Sequence, residues 1–147
     1  MSFEQELKEK FPNLYRSLWS REANQEDRLG MNGAALTDTE FGPIPSLCFG
    51  IECGEGWHNL ILKLSEKLEA LILQLPEVAR AGVYVTQVKE KYGTLRFYMS
   101  TETDEMSDAI RFAEAESEVT CEICGKPGRT EGESWLSTVC PEHSKSN

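Results

Sequence analysis

The chain has 147 residues, 39% of them apolar and 9% aromatic, enough for one domain with a real core or for one domain with a small appendage. Acids number 25 against 15 bases, a net charge of -10, which argues against binding by general attraction to duplex DNA because that attraction rests on neutralising phosphates with Lys and Arg. The same charge suits solubility, or a partner with a basic surface.

The opening MSFEQELKEKF is charged and does not read as a signal peptide, so the expected compartment is the cytoplasm, where five cysteines are free or metal-bound more often than disulfide-linked. Phe3, Leu7 and Phe11 share one face of a helix predicted over residues 2–11, with Pro12 as its stop. A second apolar set follows at Leu14, Tyr15, Leu18 and Trp19. Residues 20–45 read as irregular, with Gly30, Gly33, Gly42, Pro43 and Pro45, and Ser46 to Ile51 as a short buried strand.

ECGEGW (52–57) is a turn into the longest helix. Trp57, Leu60, Ile61, Leu64, Leu68, Leu71, Ile72 and Leu75 fall at spacings of three and four and form one apolar stripe, which Pro76 ends. Lys63, Glu66, Lys67 and Glu69 make the same stretch too polar to span a bilayer. Val83 to Glu90 and Thr94 to Ser100 read as two strands joined near Tyr92-Gly93, with Leu95, Phe97 and Met99 on one face of the second and Thr94, Arg96, Tyr98 and Ser100 on the other. Thr103 or Asp104 caps a helix over roughly 104–118 that turns Met106, Ile110 and Ala113 inward. Glu102 to Glu118 holds seven acids and one base, Arg111, which is either a solvated face or a docking face for a basic partner.

The end of the chain carries C-E-I-C-G at 121–125 and C-P-E-H at 140–143. Each pair has two residues between ligand types, and fifteen residues separate the pairs. Such a pair sits on one tight knuckle, and a tetrahedral ion needs four donors, so Cys121, Cys124, Cys140 and His143 are read as zinc ligands. Gly125 lets the chain turn back at the metal. The intervening residues suit a hairpin with Gly132 near its tip, and Pro141 opens a helical turn that puts His143 beside Cys140. Four protein ligands leave no position for water, so the zinc is expected to be structural, in a zinc knuckle or ribbon or a truncated treble clef. A disulfide with an idle His, or an iron site, are the alternatives. Lys126, Arg129 and Lys145 are outnumbered by Glu122, Glu131, Glu133 and Glu142, which weakens a nucleic-acid role for this module.

A second candidate site is VKEKYGTLRFY (88–98), a concentration of base and aromatic in an acidic chain. Lys89 and Lys91 share a strand face, Arg96 can lie across from them, and Tyr98, with Trp57, supplies a ring to stack on a base. The opposing reading is a half-buried hairpin whose cations pair with nearby acids. Gly54 and Gly56 ahead of a helix offer free N–H groups to an anion, although Glu55 argues against a phosphate there. Cys53 and His58 form a weak nucleophile and base pair with no orienting third group, and Cys48, Cys53 and His58 lack paired metal spacing. No phosphate loop, dinucleotide fingerprint or metalloprotease motif is present, and no enzyme activity is expected.

Taken together, ECGEGWHNLI, QVKEKYGTLRFY, AEAESEVTCEICGKPG and the terminal CPEH resemble a group of small proteins found in phages, prophages and bacterial genomes, over about residues 46–143. The resemblance implies a phage-linked, cytoplasmic, zinc-containing protein. The expected architecture is α+β: a small antiparallel sheet or hairpin packed by the 57–75 and 104–118 helices. Its parts are an N-terminal helical and irregular segment (1–45), a core (46–118) and a zinc module (119–147). The expected function is that of a non-enzymatic binding protein acting on a host protein or defence component. The alternatives are sequestration of a nucleotide signal by the 88–98 hairpin and nucleic-acid binding by the zinc module.

Overall fold

The structure, a computed structural model, describes residues 2–18 and 50–145. Trp19, the irregular stretch 20–45, Cys48 and the first residues of the strand expected from Ser46 lie outside the described residues. Helix α1 spans Phe3–Lys10. The Ser2 hydroxyl accepts the Gln5 N–H and the Gln5 side chain accepts the Ser2 N–H, a reciprocal cap that occupies two otherwise unpaired donors. Acids in its first turn and lysines in its last complement the helix dipole. After Pro12 the chain runs through turns to Leu18.

Strand β1 (Ile51–Glu52) and a 3-10 turn (Glu55–Trp57) lead into α2 (His58–Leu73), followed by a single-turn helix α3 (Glu77–Arg80). Strands β2 (Val85–Lys91) and β3 (Thr94–Met99) form a hairpin, and α4 spans Asp104–Ser117. Thr103 supplies the cap of α4, accepting the Met106 N–H. A second hairpin, β4 (Arg129–Glu131) with β5 (Ser137–Val139), closes the chain ahead of a 3-10 turn at Pro141–His143. The architecture is α+β. The first sheet is mixed, not purely antiparallel, because β1 joins β2 in parallel while β2 and β3 run antiparallel.

The turn between β2 and β3 is two residues long, with Tyr92 at φ 55° and Gly93 at φ 80°, the mirror-image turn whose twist matches a hairpin. A register shift between Val85 and Gln87 inserts one extra residue, so Val85 and Val88 both face the core. Opposite Val88 and Val85, Phe97 is buried and Met99 partly so, and Leu95, across from Glu90, is buried too.

One hydrophobic core joins the elements. The predicted stripe of α2 enters it as Trp57, Leu60, Ile61, Leu64, Leu68, Leu71 and Ile72, with Leu75 at its margin. Met106, Ile110 and Ala113 of α4 meet it, as do Leu7, Phe11, Leu14, Tyr15 and Leu18. Each large apolar side chain fully buried here contributes about 1.5–3 kcal/mol. Residues 2–18 therefore belong to the same core as the expected 46–118 unit. Polar groups buried among these residues tie the two together: Glu69 of α2 accepts the Leu14 N–H at 2.9 Å and the Asn13 side chain at 2.7 Å, and the Tyr15 hydroxyl meets Ser65 at 2.6 Å. The N-terminal turn also continues into β2, since Val85 donates to the Leu14 carbonyl and accepts from the Ser17 hydroxyl.

The outer edge of β3 is closed by side chains of α4. Leu95 N–H donates to the buried Ser117 hydroxyl at 2.9 Å, and Phe97 N–H to the Glu114 carboxylate at 3.1 Å. An edge that would otherwise offer unpaired N–H groups to another chain is thereby occupied.

Candidate metal centre

The donor atoms of Cys121, Cys124, Cys140 and His143 all lie within 4.8 Å of one another. Cys124 and Cys140 sulfurs are 3.6 Å apart, and His143 Nδ1 lies 3.6 Å from Cys121 and 3.2 Å from Cys140. Ligands on a zinc-sized ion, with bonds of about 2.3 Å to sulfur and about 2.0 Å to nitrogen, stand about 3.5–3.8 Å apart along the edges of a tetrahedron. This C-terminal cluster of three cysteines and a histidine is compatible with zinc binding.

Local sequence explains the geometry. After Cys124 the chain reverses at Gly125, φ 82°, whose N–H returns to the Cys121 carbonyl at 2.9 Å, while Cys121 N–H donates to Lys126. Pro141 occupies the first position of the 3-10 turn, and His143 N–H donates to the Cys140 carbonyl at 3.0 Å, which sets Cys140 and His143 on one turn as the C-P-E-H spacing implied. The hairpin between the pairs turns at Gly132, φ 116°, where only glycine fits, because a Cβ would meet the Trp135 carbonyl.

Electrostatics favours a thiolate at Cys121 and Cys140, while the neighbouring sulfurs raise the Cys124 thiol and the His143 imidazole. Burial pushes the Cys121 thiol up, but backbone N–H groups of Cys124, Cys140 and Ile123 directed at its sulfur outweigh that and leave it below its ordinary value. Cys140 is likewise lowered, burial opposing and the hydrogen bonds of His143 and Cys124 prevailing. The thiolate is the metal-binding form.

The module is docked through its backbone. Gly56 N–H donates to the Glu122 carbonyl at 2.7 Å, and Gly54 N–H to the Glu122 carboxylate at 2.9 Å. The anion at the glycines ahead of α2 is thus a carboxylate from the Cys-x-x-Cys knuckle itself. Spacing had signalled the free N–H groups, but nothing in it named Glu122 as their occupant. Burial raises the Glu122 carboxyl above its usual range, although the Gly54 N–H opposes this. Trp57 is fully buried, and its indole N–H donates to the Thr120 carbonyl at 2.8 Å, so its ring belongs to the core and offers no stacking surface. On the other side, the Thr138 hydroxyl donates to the Gly93 carbonyl at 2.5 Å, joining β5 to the tip of the first hairpin.

The remaining candidates separate. Lys89 pairs directly across from Arg96 and Lys91 from Thr94; with Gln87 across from Tyr98, all four predicted hairpin residues stand on the sheet face opposite the core. Cys53 is not an activated nucleophile: burial, then the carboxylates of Glu122, Glu4 and Glu90, push its thiol up to about 12. His58 instead stacks on Phe3, with ring centroids 3.7 Å apart and planes 5° from parallel, and burial lowers its pKa. Cys48 lies outside the described residues, and among the described residues no second metal-ligand cluster occurs. No helix of the described residues is long and apolar enough to cross a membrane.

Comparison with protein-family models, with curated proteins and with solved structures returned no match.

Proposed function

We propose that the chain is a zinc protein in which the metal is structural and the activity is binding, not catalysis. The observation that carries this reading is the closed donor set: three sulfurs and one imidazole, all within 4.8 Å of one another, can complete a zinc shell without leaving a position for water or substrate. Zinc is the natural ion for a thiolate-rich tetrahedron. The metal would hold the knuckle and the 140–143 turn together, and the knuckle in turn covers Trp57 and the start of α2.

The partner in this reading is a host protein or defence component of a phage-infected bacterium, met in the cytoplasm. Support for a docking role comes from the outward side of α4, where Phe112 is 69% exposed on the same helix face as Glu105 and Asp108, the latter paired with Arg111 at 3.3 Å.

Metal analysis of reduced protein tests the first part, with one zinc per chain expected and Cys124→Ser or a strong chelator releasing it and lowering the melting temperature. A chain that keeps its full stability without any metal would rule the structural zinc out. For the second part, charge reversal at Glu105 and Asp108 is expected to abolish co-purification of a partner from host lysate while zinc content stays at one. An unchanged partner profile would remove the acidic face from the proposal.

A further inference from the structure

The outer face of the β2–β3 hairpin carries an arrangement that the metal centre and the docking face do not use. Lys89 and Arg96 are cross-strand partners, so two like charges stand side by side, a pairing that is destabilising by itself. Lys91 follows on the same face with its ammonium 5.6 Å from the Tyr92 ring centre, and Tyr98, 41% exposed, flanks Arg96 on the other side. Among the described residues none of the three cations forms an ion pair, in a chain with 25 acids to choose from.

Two acids neighbour these cations, and neither forms an ion pair with them, although Arg96 acts on the Glu114 carboxylate at longer range. Glu52, next to Lys89 across the parallel β1 pairing, is exposed and makes no ion pair with it. Glu114 stands at the β3 edge and gives an oxygen to the Phe97 N–H. Arg96 Nε is buried and has no hydrogen-bond acceptor at all. A buried guanidinium N–H without a partner is rare in folded proteins, and with Nε covered it is the terminal nitrogens that stay open to a ligand.

We infer that this face is an anion site, in which Arg96 and Lys89 hold a phosphate group from two sides, Lys91 lies at its margin, and Tyr98 packs against what the phosphate carries. An oxygen acceptor on this face would meet the terminal guanidinium N–H groups of Arg96, which are not buried, and convert the Lys89–Arg96 repulsion into a shared attraction. Arginine presents the planar fork that matches a phosphate, and lysine adds a point charge. With an aromatic ring alongside, the ligand class is a nucleotide; free phosphate shares the same anionic chemistry. This site stands independently of the docking reading for α4.

The test is titration of isotope-labelled, zinc-loaded full-length protein with adenosine 5′-monophosphate, inorganic phosphate and adenosine at constant ionic strength, followed by NMR. Shifts centred on Lys89, Lys91, Arg96 and Tyr98 are expected with the nucleotide. Arg96→Gln and Lys89→Gln are each expected to weaken binding about tenfold or more. A nucleotide that binds more tightly than phosphate, with the difference lost in Tyr98→Ala, identifies the nucleotide as the source; equal affinities identify free phosphate. Lys89→Gln also separates function from scaffold. Because it removes a like-charge pair it should leave the melting temperature unchanged or raised while losing the ligand. No shift with either anion, a response matched by sodium chloride, or binding undiminished in both variants overturns the inference. So does a Lys89→Gln protein that melts lower and binds as before, since Lys89 is then structural.

Discussion

Glu122 packs so closely on Gly56 that no side chain fits at position 56: the Gly56 N–H meets the Glu122 carbonyl at 2.7 Å, and a Cβ there would stand 2.1 Å from the Cys121 carbonyl and 2.5 Å from the Glu122 carbonyl carbon. The Cys-x-x-Cys knuckle thus sits directly on the backbone that starts α2. Gly56→Ala must displace the knuckle, and backbone cannot yield as a side-chain tip can. The expected loss is about 3 kcal/mol, read as a lower urea midpoint, accompanied by weaker metal retention. A Gly56→Ala protein with an unchanged midpoint would show that the knuckle does not pack there.

Glu69 holds the N-terminal turn by accepting from Asn13 and Leu14. Glu69→Leu would leave a buried Leu14 N–H without an acceptor, at a cost of about 2–3 kcal/mol for the charge-assisted set. Glu69→Gln keeps one acceptor and should lose about half as much. Hydrogen exchange should show residues 2–18 losing protection first in the leucine variant; protection lost uniformly along the chain would contradict this assignment.

Glu114 gives a pH dependence of known sign. Burial raises its carboxyl above the unfolded value of 4.5, with the Phe97 N–H and Arg96 opposing. A carboxyl raised on folding adds stability below its unfolded pKa, and that contribution disappears as pH rises through the folded pKa. Glu114→Gln retains an acceptor for Phe97 and carries no charge. It should therefore be slightly more stable than the parent at pH 7, by under about 1 kcal/mol because the group is partly solvated, with the difference shrinking as pH falls towards 4.5. Paired urea titrations at pH 7 and pH 5 measure it.

Cys53 should be chemically quiet. A thiol pushed from 9.0 to about 12 holds about a thousandfold less thiolate at pH 8. Brief treatment of folded, zinc-loaded protein with iodoacetamide followed by peptide mapping should leave Cys53 unmodified, and unfolding in urea should expose it. Rapid labelling in the folded state would show that Cys53 is not held buried beside the carboxylates of Glu122, Glu4 and Glu90.

Much of this arrangement is legible from local spacing. The α2 stripe, the inward residues of α4 and the Tyr92-Gly93 turn follow from periodicity and turn chemistry, which depend on neighbours within a few residues. The strand limits moved by a residue or two, since strand ends are decided by pairing partners. Trp57 is legible as part of the apolar stripe, but not the partner of its indole N–H, because Thr120 arrives from 63 residues away. Ser65, Glu69 and Ser117 look like ordinary polar positions on helices; they are buried because donors on other elements, at Tyr15, Leu14 and Leu95, need them.

The sequence by itself singled out Cys121, Cys124, Cys140 and His143 as a candidate donor set, because ligand spacing within each pair is a local property, and the fold brings the four donors together. It also determined the α+β class, through alternating and helical periods. Tertiary structure alone decided what occupies the glycines before α2, which side chains close the β3 edge, and that Lys89 faces Arg96 with no acid between them. Those relationships join residues far apart in the chain, where contact is set by packing and register, and neither is written in any short stretch of residues.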